Sequence, residues 1–440
     1  MDILIKIAQL FLCFTILVGI HELGHFLMAR AFKIRVEKFY IFFDPWFSLF
    51  KFKRGGTESG LGGLPLGGYV KIAGMIDESM DKEQMKQPVK PDEFRAKPAW
   101  QRLLVMVAGV MMNVLLAIVI YCAVCYTWGD SYFSNQDAKW GYNFNPTAHE
   151  MGFRDGDRFV SIDGEEIDNV MRVQNDLLIT DGGRRVVVER GGEPVTLDIP
   201  FESLLRMRQE KAYEDLFTLR LPFIVDSVSY TSAVEAGLQS GDEVVAIDDL
   251  RDADYPRYRD YLQKHKNDKV LLTVRRDGAL IDSLALPVDA EGRIGVTVTN
   301  PYSLRTQYYT FWESIPAGIH KAGKTISSYW DQLKLIVQPK TKMYEELGGF
   351  VAIGSIFPGS WDWHDFWLKT AFLSIILAVM NLLPIPGLDG GHALFTLWEI
   401  ITRRKPSEKF LEVAQYVGLM IILALLVYAN GNDIYRFFIK

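Results

Sequence analysis

The chain has 440 residues, of which 49% are hydrophobic and 23% are charged, and its formal net charge is −6 at pH 7. This length allows two to four domains, and the hydrophobic fraction is high for a soluble protein. The composition therefore favours a membrane protein, and nothing in the charge balance indicates binding to nucleic acid.

Four apolar stretches are close to the roughly 20 residues that a membrane-spanning helix needs. They are residues 3–32, 103–128, 366–383 and 410–429. A short charged start precedes the first stretch, as in a signal peptide, but no cleavage site of small residues follows, and we predict that the stretch is retained. The sequence thus predicts a multi-pass α-helical membrane protein with four spans.

Three polar residues interrupt the end of the first apolar stretch: His21, Glu22 and His25 in the sequence HELGH. On a helix, residues four apart lie on one face, so the two imidazoles can bind one ion while Glu22 reaches a water beside it. Zinc fits this pattern, because it binds two imidazoles and a carboxylate and leaves a fourth position for water. Two packed histidines are the alternative, but ionisable groups inside a span are costly and usually functional.

Basic residues are unevenly distributed around the spans. Residues 30–102 hold 14 Lys and Arg against 9 Asp and Glu, and the turn between the last two spans holds Arg403, Arg404, Lys405 and Lys409. Because short cytoplasmic loops are enriched in basic residues, we expect both regions to be cytoplasmic and residues 129–365 to lie on the other side. All three cysteines fall within the predicted spans, so no disulfide is expected in the outer segment.

The outer segment contains an internal repeat. The window AHEMGFRDGDRFVSIDGEEI, which begins at Ala148, matches AVEAGLQSGDEVVAIDDLRD, which begins at Ala233. Such a repeat predicts two copies of one small α+β domain, each with a short helix, a Gly-Asp turn, a strand, a second helix and a hairpin. The pattern resembles the PDZ domain, which implies binding of a peptide terminus by strand addition. A role as spacer or size filter is the alternative.

Apolar residues recur at three- and four-residue steps across residues 315–337, with Lys321, Lys324 and Lys334 between them. This periodicity predicts an amphipathic helix. The helix is expected to lie in the membrane surface or to pack against the outer domains.

A second polar motif, NLLPIPGLDGGH at residues 381–392, ends the third span. Its Pro384, Pro386 and Gly387 break a helix at a depth where irregular backbone is tolerated only inside protein or beside a wet cavity. Asp389 follows and could belong to an ordinary Asp-Gly turn. The predicted topology, however, places it on the same side of the membrane as HELGH, so we predict that Asp389 is the third ligand of one zinc ion.

Paired HExxH and NxxPxPxxDG motifs, in the first and third of four spans with PDZ-like repeats between the second and third, are similar to those of the bacterial site-2 intramembrane metalloproteases, closest to the regulator of sigma-E type. The resemblance covers nearly the whole chain. It implies that His21, His25 and Asp389 bind Zn²⁺, that Glu22 is the base that activates water, and that Asn381 contacts the substrate backbone. It also implies a bacterial inner-membrane location, PDZ domains in the periplasm, and single-span membrane proteins as substrates, of the anti-sigma-factor and remnant-signal-peptide type.

Two further stretches match the family. GLPLGGYVKIAGM at residues 63–75 resembles its membrane-reentrant β-hairpin, which implies that the edge around Gly67 and Gly68 holds the unwound substrate as an added strand. A Gly-rich cytoplasmic loop is the alternative. GVMMN at residues 109–113 resembles a GxxxN motif, in which a small residue allows close helix contact.

Two stretches depart from the family pattern. FFDPW at residues 42–46 stands where a Gly-Phe-Gly-Pro strand is common, and Phe350 in LGGFVAIG stands where proline is frequent. Neither touches a proposed ligand, so the departures concern how the substrate is handled and not the chemistry.

The sequence predicts a fold of four spans with two inserted α+β PDZ domains and the activity of an intramembrane zinc endopeptidase. A membrane-anchored zinc peptidase acting on soluble proteins is one alternative, but the apolar run that leads straight into the ligands argues against it. A non-catalytic PDZ scaffold is another, and it would predict a degenerate metal site. The expected domains are 1–34 (first span), 35–97 (cytoplasmic loop with the reentrant hairpin), 98–128 (second span), 129–215 and 216–300 (PDZ domains), 301–345 (amphipathic helix), 346–400 (third span) and 401–440 (fourth span).

Overall fold

The computed structural model describes residues 2–64, 67–75, 87–213, 215–252 and 254–439. The chain divides into two compact units, one formed by residues 1–130 with 308–440 and the other by residues 131–307. The first unit carries the long helices, and the second carries the repeats.

The α-helices of the described residues are α1 (Asp2–Ala31), α2 (Ala99–Trp128), α3 (Pro146–Glu150), α4 (Val173–Leu178), α5 (Phe201–Gln209), α6 (Thr231–Glu235), α7 (Tyr255–Lys264), α8 (Phe311–Val337), α9 (Phe350–Ser355), α10 (Trp363–Leu382), α11 (Asp389–Thr402) and α12 (Glu408–Ile434). The strands are β1 (Val36–Tyr40), β2 (Phe43–Arg54), β3 (Thr57–Leu64), β4 (Tyr69–Ile72), β5 (Asp130–Tyr132), β6 (Tyr142–Phe144), β7 (Arg158–Ile162), β8 (Glu165–Glu166), β9 (Arg184–Arg190), β10 (Glu193–Ile199), β11 (Phe217–Leu219), β12 (Val225–Val228), β13 (Glu243–Ile247), β14 (Lys269–Arg276), β15 (Ala279–Pro287), β16 (Val296–Val298) and β17 (Arg305–Gln307).

Within the described part of the chain, four helices are long and apolar enough to cross a membrane: α1, α2, α10 and α12 with its continuation to Phe437. They coincide with the four predicted spans, which confirms that part of the sequence analysis. α1 packs directly on α2, because a Cβ atom on Gly24 would lie only 2.5 Å from the Ala108 carbonyl oxygen. α2 also packs against α8, α10 and α11, so it is the central helix of this unit.

The predicted amphipathic helix is α8, which begins with a capping box between Thr310 and Glu313. It packs against α2 at Gly318, where a Cβ atom would lie 2.5 Å from the Cys122 sulfur. The Trp330 side chain on α8 remains exposed. The location of this helix in a membrane surface stays a prediction.

A four-stranded sheet follows α1, with the strand order β2–β3–β1–β4. β1 pairs in parallel with β3 and antiparallel with β4. The sequence analysis predicted a hairpin within residues 63–75. This prediction was wrong, because β1 lies between β3 and β4 and the two strands do not pair with each other. The stretch is not a loop either, since it supplies the edge strand β4; Pro65 and Leu66 of this stretch lie outside the described residues.

The second unit contains two separate hydrophobic cores, one for each copy of the repeat. Each copy has the expected order of short helix, strand, second helix and hairpin: α3, β7, α4 and β9–β10 in the first, and α6, β13, α7 and β14–β15 in the second. β11 pairs with β6, so residues just after the expected boundary at 215 pack with the first copy.

Each copy contains an equivalent ion pair with a buried aspartate. Asp157 accepts two hydrogen bonds of 2.7 Å from Arg190, and Asp242 accepts bonds of 2.6 and 2.7 Å from Arg276. In each copy the same arginine also donates to the carbonyl oxygen of the glycine that follows the short helix. The repeat read from the sequence is therefore a repeat of contacts as well.

We predict that Asp157→Ala lowers the free energy of unfolding of the second unit by about 3 kcal/mol, because removing one partner of a buried pair leaves the other charge uncompensated. Pulse proteolysis of the detergent-solubilised full-length protein in urea measures this change. Asp198→Ala is the matched control, since Asp198 pairs with Arg185 at an exposed position and exposed pairs contribute little. Equal effects of the two substitutions would contradict a structural role for the repeated pair.

Candidate metal centre

α1 and α11 bring together the three predicted ligands. The Nε2 atoms of His21 and His25 lie 3.1 and 3.3 Å from Oδ2 of Asp389, and 3.3 Å from each other. Ligand atoms about 2.0–2.1 Å from a tetrahedral zinc ion are themselves about 3.3–3.4 Å apart, so this spacing fits zinc. No other group of His, Cys, Asp and Glu side chains in the described residues has such a geometry.

The donor set also fits a cation chemically. Both imidazoles are buried, and Oδ2 of Asp389 is a buried oxygen without a hydrogen-bond donor among the described residues. A buried carboxylate oxygen without a donor is costly unless a cation compensates it. Three donor atoms that converge on one point in this way could hold a divalent metal ion.

The outer nitrogens of the two histidines decide how their inner nitrogens can act. Nδ1 of His25 donates to the Val105 carbonyl oxygen at 2.8 Å, so its Nε2 carries a free lone pair. Nδ1 of His21 lies 3.3 Å from the Asn113 amide, whose Oδ1 has no partner. The two ends of an amide are interchangeable in shape, and with its oxygen toward His21 the amide accepts the Nδ1 proton and leaves Nε2 for the metal.

The small residue of the GVMMN stretch has a sharper role than the predicted helix contact. A Cβ atom on Gly109 would lie 2.4 Å from Nε2 of His25 and 2.7 Å from Cε1 of His21. The backbone of α2 therefore runs directly behind the two imidazoles. Only glycine leaves room for them at this position.

The predicted break after the third span is present and places Asp389 at the first position of α11. The chain turns so tightly that a Cβ atom on Gly390 would lie 2.3 Å from the Leu382 carbonyl oxygen. Further along α11, Glu399 accepts a 2.5 Å hydrogen bond from Arg102 of α2. This ion pair fixes α11 to the helix that supports the histidines.

A cleft of about 650 Å³ opens beside the three ligands. The other predicted site residues line it: Glu22, Asn381, Gly67 and Gly68. The Glu22 side chain faces the backbone of Val70 in β4, and Nδ2 of Asn381 lies 3.5 Å from Nε2 of His21. The structure therefore brings together all seven residues that the sequence analysis named.

Sequence reasoning missed four residues of this site, which form two groups. It did not assign roles to Asn113 and Val105, which contact the histidines from behind, or to Lys38 and Asp44, which line the cleft. For Asn113 the signal in the sequence was its place as the asparagine of the GxxxN motif. For Asp44 the signal was the FFDPW stretch, which departs from the family pattern, but the sequence did not show that this stretch lies beside the cleft.

We predict that Gly109→Ala lowers metal content and activity together, because the added methyl group displaces both imidazoles. Zinc per protein, measured by atomic absorption on the purified variant, should fall at least severalfold. Gly19→Ala is the control, since no atom lies within 4 Å of a Cβ at that position of α1. Full zinc content in Gly109→Ala would mean that α2 is not the wall of the site.

The chain is similar to known proteins over nearly its whole length. Peptidase family M50 matches residues 9–425. The regulator of sigma E protease of Haemophilus influenzae is 27% identical over 460 residues, covering 99% of this chain and 100% of that protein. A protein of Xylella fastidiosa strain 9a5c that is named as a zinc metalloprotease is 28% identical over 461 residues, covering 98% of this chain and 99% of its own length. Since the family match runs from the first span into the fourth and includes both ligand motifs, the chain belongs to peptidase family M50, the site-2 family of zinc metalloendopeptidases.

Proposed function

We propose that the protein is an intramembrane zinc endopeptidase that cleaves the membrane-spanning segments of single-span proteins. The observation that carries this proposal is the position of His21 and His25 within α1, a helix apolar and long enough to cross a membrane. A peptidase for soluble proteins has no reason to place its metal ligands inside such a helix, where ionisable groups are costly.

In this proposal His21, His25 and Asp389 hold the zinc ion. Zinc bound by three protein groups lowers the pKa of a water molecule and polarises a carbonyl group. Glu22 lines the same cleft, so its carboxylate takes the proton from the attacking water and passes it to the leaving nitrogen. The amide of Asn381, beside His21, donates to the backbone of the substrate.

The substrate segment lies along β4. Within the described residues β4 has one strand neighbour, β1, and the residues of β4 line the cleft. A membrane-spanning helix must unwind before a base can reach its peptide bond, and its freed N–H and C=O groups need partners where water is scarce. The edge of β4 that has no strand neighbour among the described residues offers such partners, in the manner of strand addition.

The wider assignments follow from the same proposal. The two repeats are PDZ domains on the periplasmic side of a bacterial inner membrane, and they bind peptide termini or limit the size of what enters. The substrates are of the anti-sigma-factor and remnant-signal-peptide type. The relative from Haemophilus influenzae carries a name that fits this role, regulator of sigma E protease.

We predict that Glu22→Gln retains zinc and loses peptidase activity by about 10²–10⁴-fold, because an amide cannot accept the proton from water. Zinc content and the cleavage of a single-span substrate in detergent are measured on the same preparation. Asp389→Ala should instead lose zinc, since it removes a ligand. Turnover by a zinc-loaded Glu22→Gln protein would exclude Glu22 as the base.

The proposed topology predicts which engineered cysteines a membrane-impermeant thiol reagent reaches. In a variant lacking the native cysteines, Ser240→Cys in the second repeat should react in cells whose outer membrane is permeabilised. Ser407→Cys, in the basic turn before α12, should react only after lysis, because basic turns stay in the cytoplasm. The reverse pattern would invert the protein and contradict periplasmic repeats.

A further inference from the structure

A second polar cluster lines the cleft on the side of the sheet, apart from the metal ligands. Its members are Lys38 of β1, Asp44 of β2 and Tyr69 of β4. The Tyr69 hydroxyl donates to Oδ1 of Asp44 at 2.7 Å, and the Lys38 ammonium lies 4.0 Å from Oδ2. The proposed chemistry uses none of these side chains, so their presence beside the cleft needs another reason.

The strand that carries Asp44 is irregular at this position. The pairing of β2 with β3 shifts register between Phe43 and Ser48, so Asp44 lies in an irregular part of the strand. Irregular strand segments near active sites commonly change the direction of a side chain. The carboxylate of Asp44 is thus placed by the backbone of the sheet and not by a flexible loop.

Two hydroxyl groups hold the Asp44 carboxylate still. Burial, together with the bond to Asp44, raises the pKa of Tyr69, so this hydroxyl keeps its proton and remains a donor. The Tyr69 ring is itself stacked on Tyr40 with a centroid distance of 5.5 Å. The Ser48 hydroxyl donates to Oδ2 at 3.4 Å. An ionised carboxylate has about four acceptor positions, so the two hydroxyl donors found among the described residues leave capacity for a further partner.

Lys38 holds Asp44 only weakly. At 4.0 Å the pair is longer than a hydrogen bond, and the Lys38 side chain is 40% exposed whereas that of Asp44 is 16% exposed. A lysine in such a place has a flexible stem and can turn away at little cost. The rigid member of the pair is therefore the carboxylate.

We propose that Asp44 is a specificity-determining residue that binds a cationic side chain, Lys or Arg, of the substrate segment lying along β4. The inference rests on the proposed function. An incoming ammonium or guanidinium group replaces Lys38 as the partner of Asp44 and forms a charge-assisted hydrogen bond with a carboxylate that is already in place. A basic residue in an apolar segment then marks the substrate, since its charge is costly until it reaches this site.

The test uses full-length protein in detergent and a set of single-span substrates. Each substrate carries Leu, Lys or Glu at one position within four residues of the cleaved bond. The substituted position is varied across the set. At one of these positions we expect kcat/KM to be about tenfold higher with Lys than with Leu, which corresponds to about 1.4 kcal/mol of differential binding. Most of this difference should lie in KM, because the contact is made before the chemical step.

Three variants assign the preference to its residue. Asp44→Asn, which keeps the shape of the side chain, should bring the ratio of kcat/KM for the Lys substrate to kcat/KM for the Leu substrate down to about one. Lys38→Met should strengthen the preference, because the competing cation is gone. Tyr69→Phe, which removes an anchor but leaves the carboxylate, should weaken it. Zinc content of each variant verifies that the metal centre is intact.

The outcomes separate this inference from the proposed function. If wild-type protein cuts no single-span substrate, the proposed function fails and the inference fails with it. If all substrates are cut with equal kcat/KM, only the inference fails. A preference for Glu, or an Asp44→Asn variant that slows every substrate equally, would also overturn it, since Lys38 or a purely structural role would then explain the cluster.

Discussion

The structure of the first unit depends on one electrostatic requirement, the neutralisation of a carboxylate oxygen that is buried between two imidazoles. Oδ2 of Asp389 lies within 3.3 Å of both Nε2 atoms and has no hydrogen-bond donor among the described residues. A carboxylate oxygen in this position, among apolar helices, is costly unless a cation lies between it and the two imidazoles. A metal ion bound by these three side chains would also help to hold α11 against α1.

Helix α2 supports the two histidines and α11 but contributes none of the three candidate ligands. Its Val105 carbonyl oxygen and its Asn113 amide contact the outer nitrogens of the two histidines, Gly109 makes room for the rings, and Arg102 fixes α11. These four positions are spread over three turns of one helix face. An apolar span thus sets the orientation of each ligand through a few polar contacts and one missing side chain.

The cleft has two chemically different sides. Its helical side carries Glu22 and Asn381 beside the metal ligands, and its sheet side carries the β4 edge with Lys38 and Asp44. The sheet side therefore supplies backbone and charged groups, and the helical side supplies the candidate metal ligands and the candidate base. Under the proposed function, a membrane-spanning segment would have to unwind before its backbone could pair with β4.

The sequence by itself determined the four spans and the repeat and identified the three candidate ligands, because hydropathy, an 85-residue period and two short motifs are local signals. It also pointed to Gly109 through a small-residue motif. Only the tertiary structure decided that Asn113 contacts His21 from 92 positions away, that β1 separates β3 from β4, and that Asp44, in an irregular part of β2, lines the cleft. Strand order and side-chain partners depend on which distant segments meet, and no local periodicity encodes that choice.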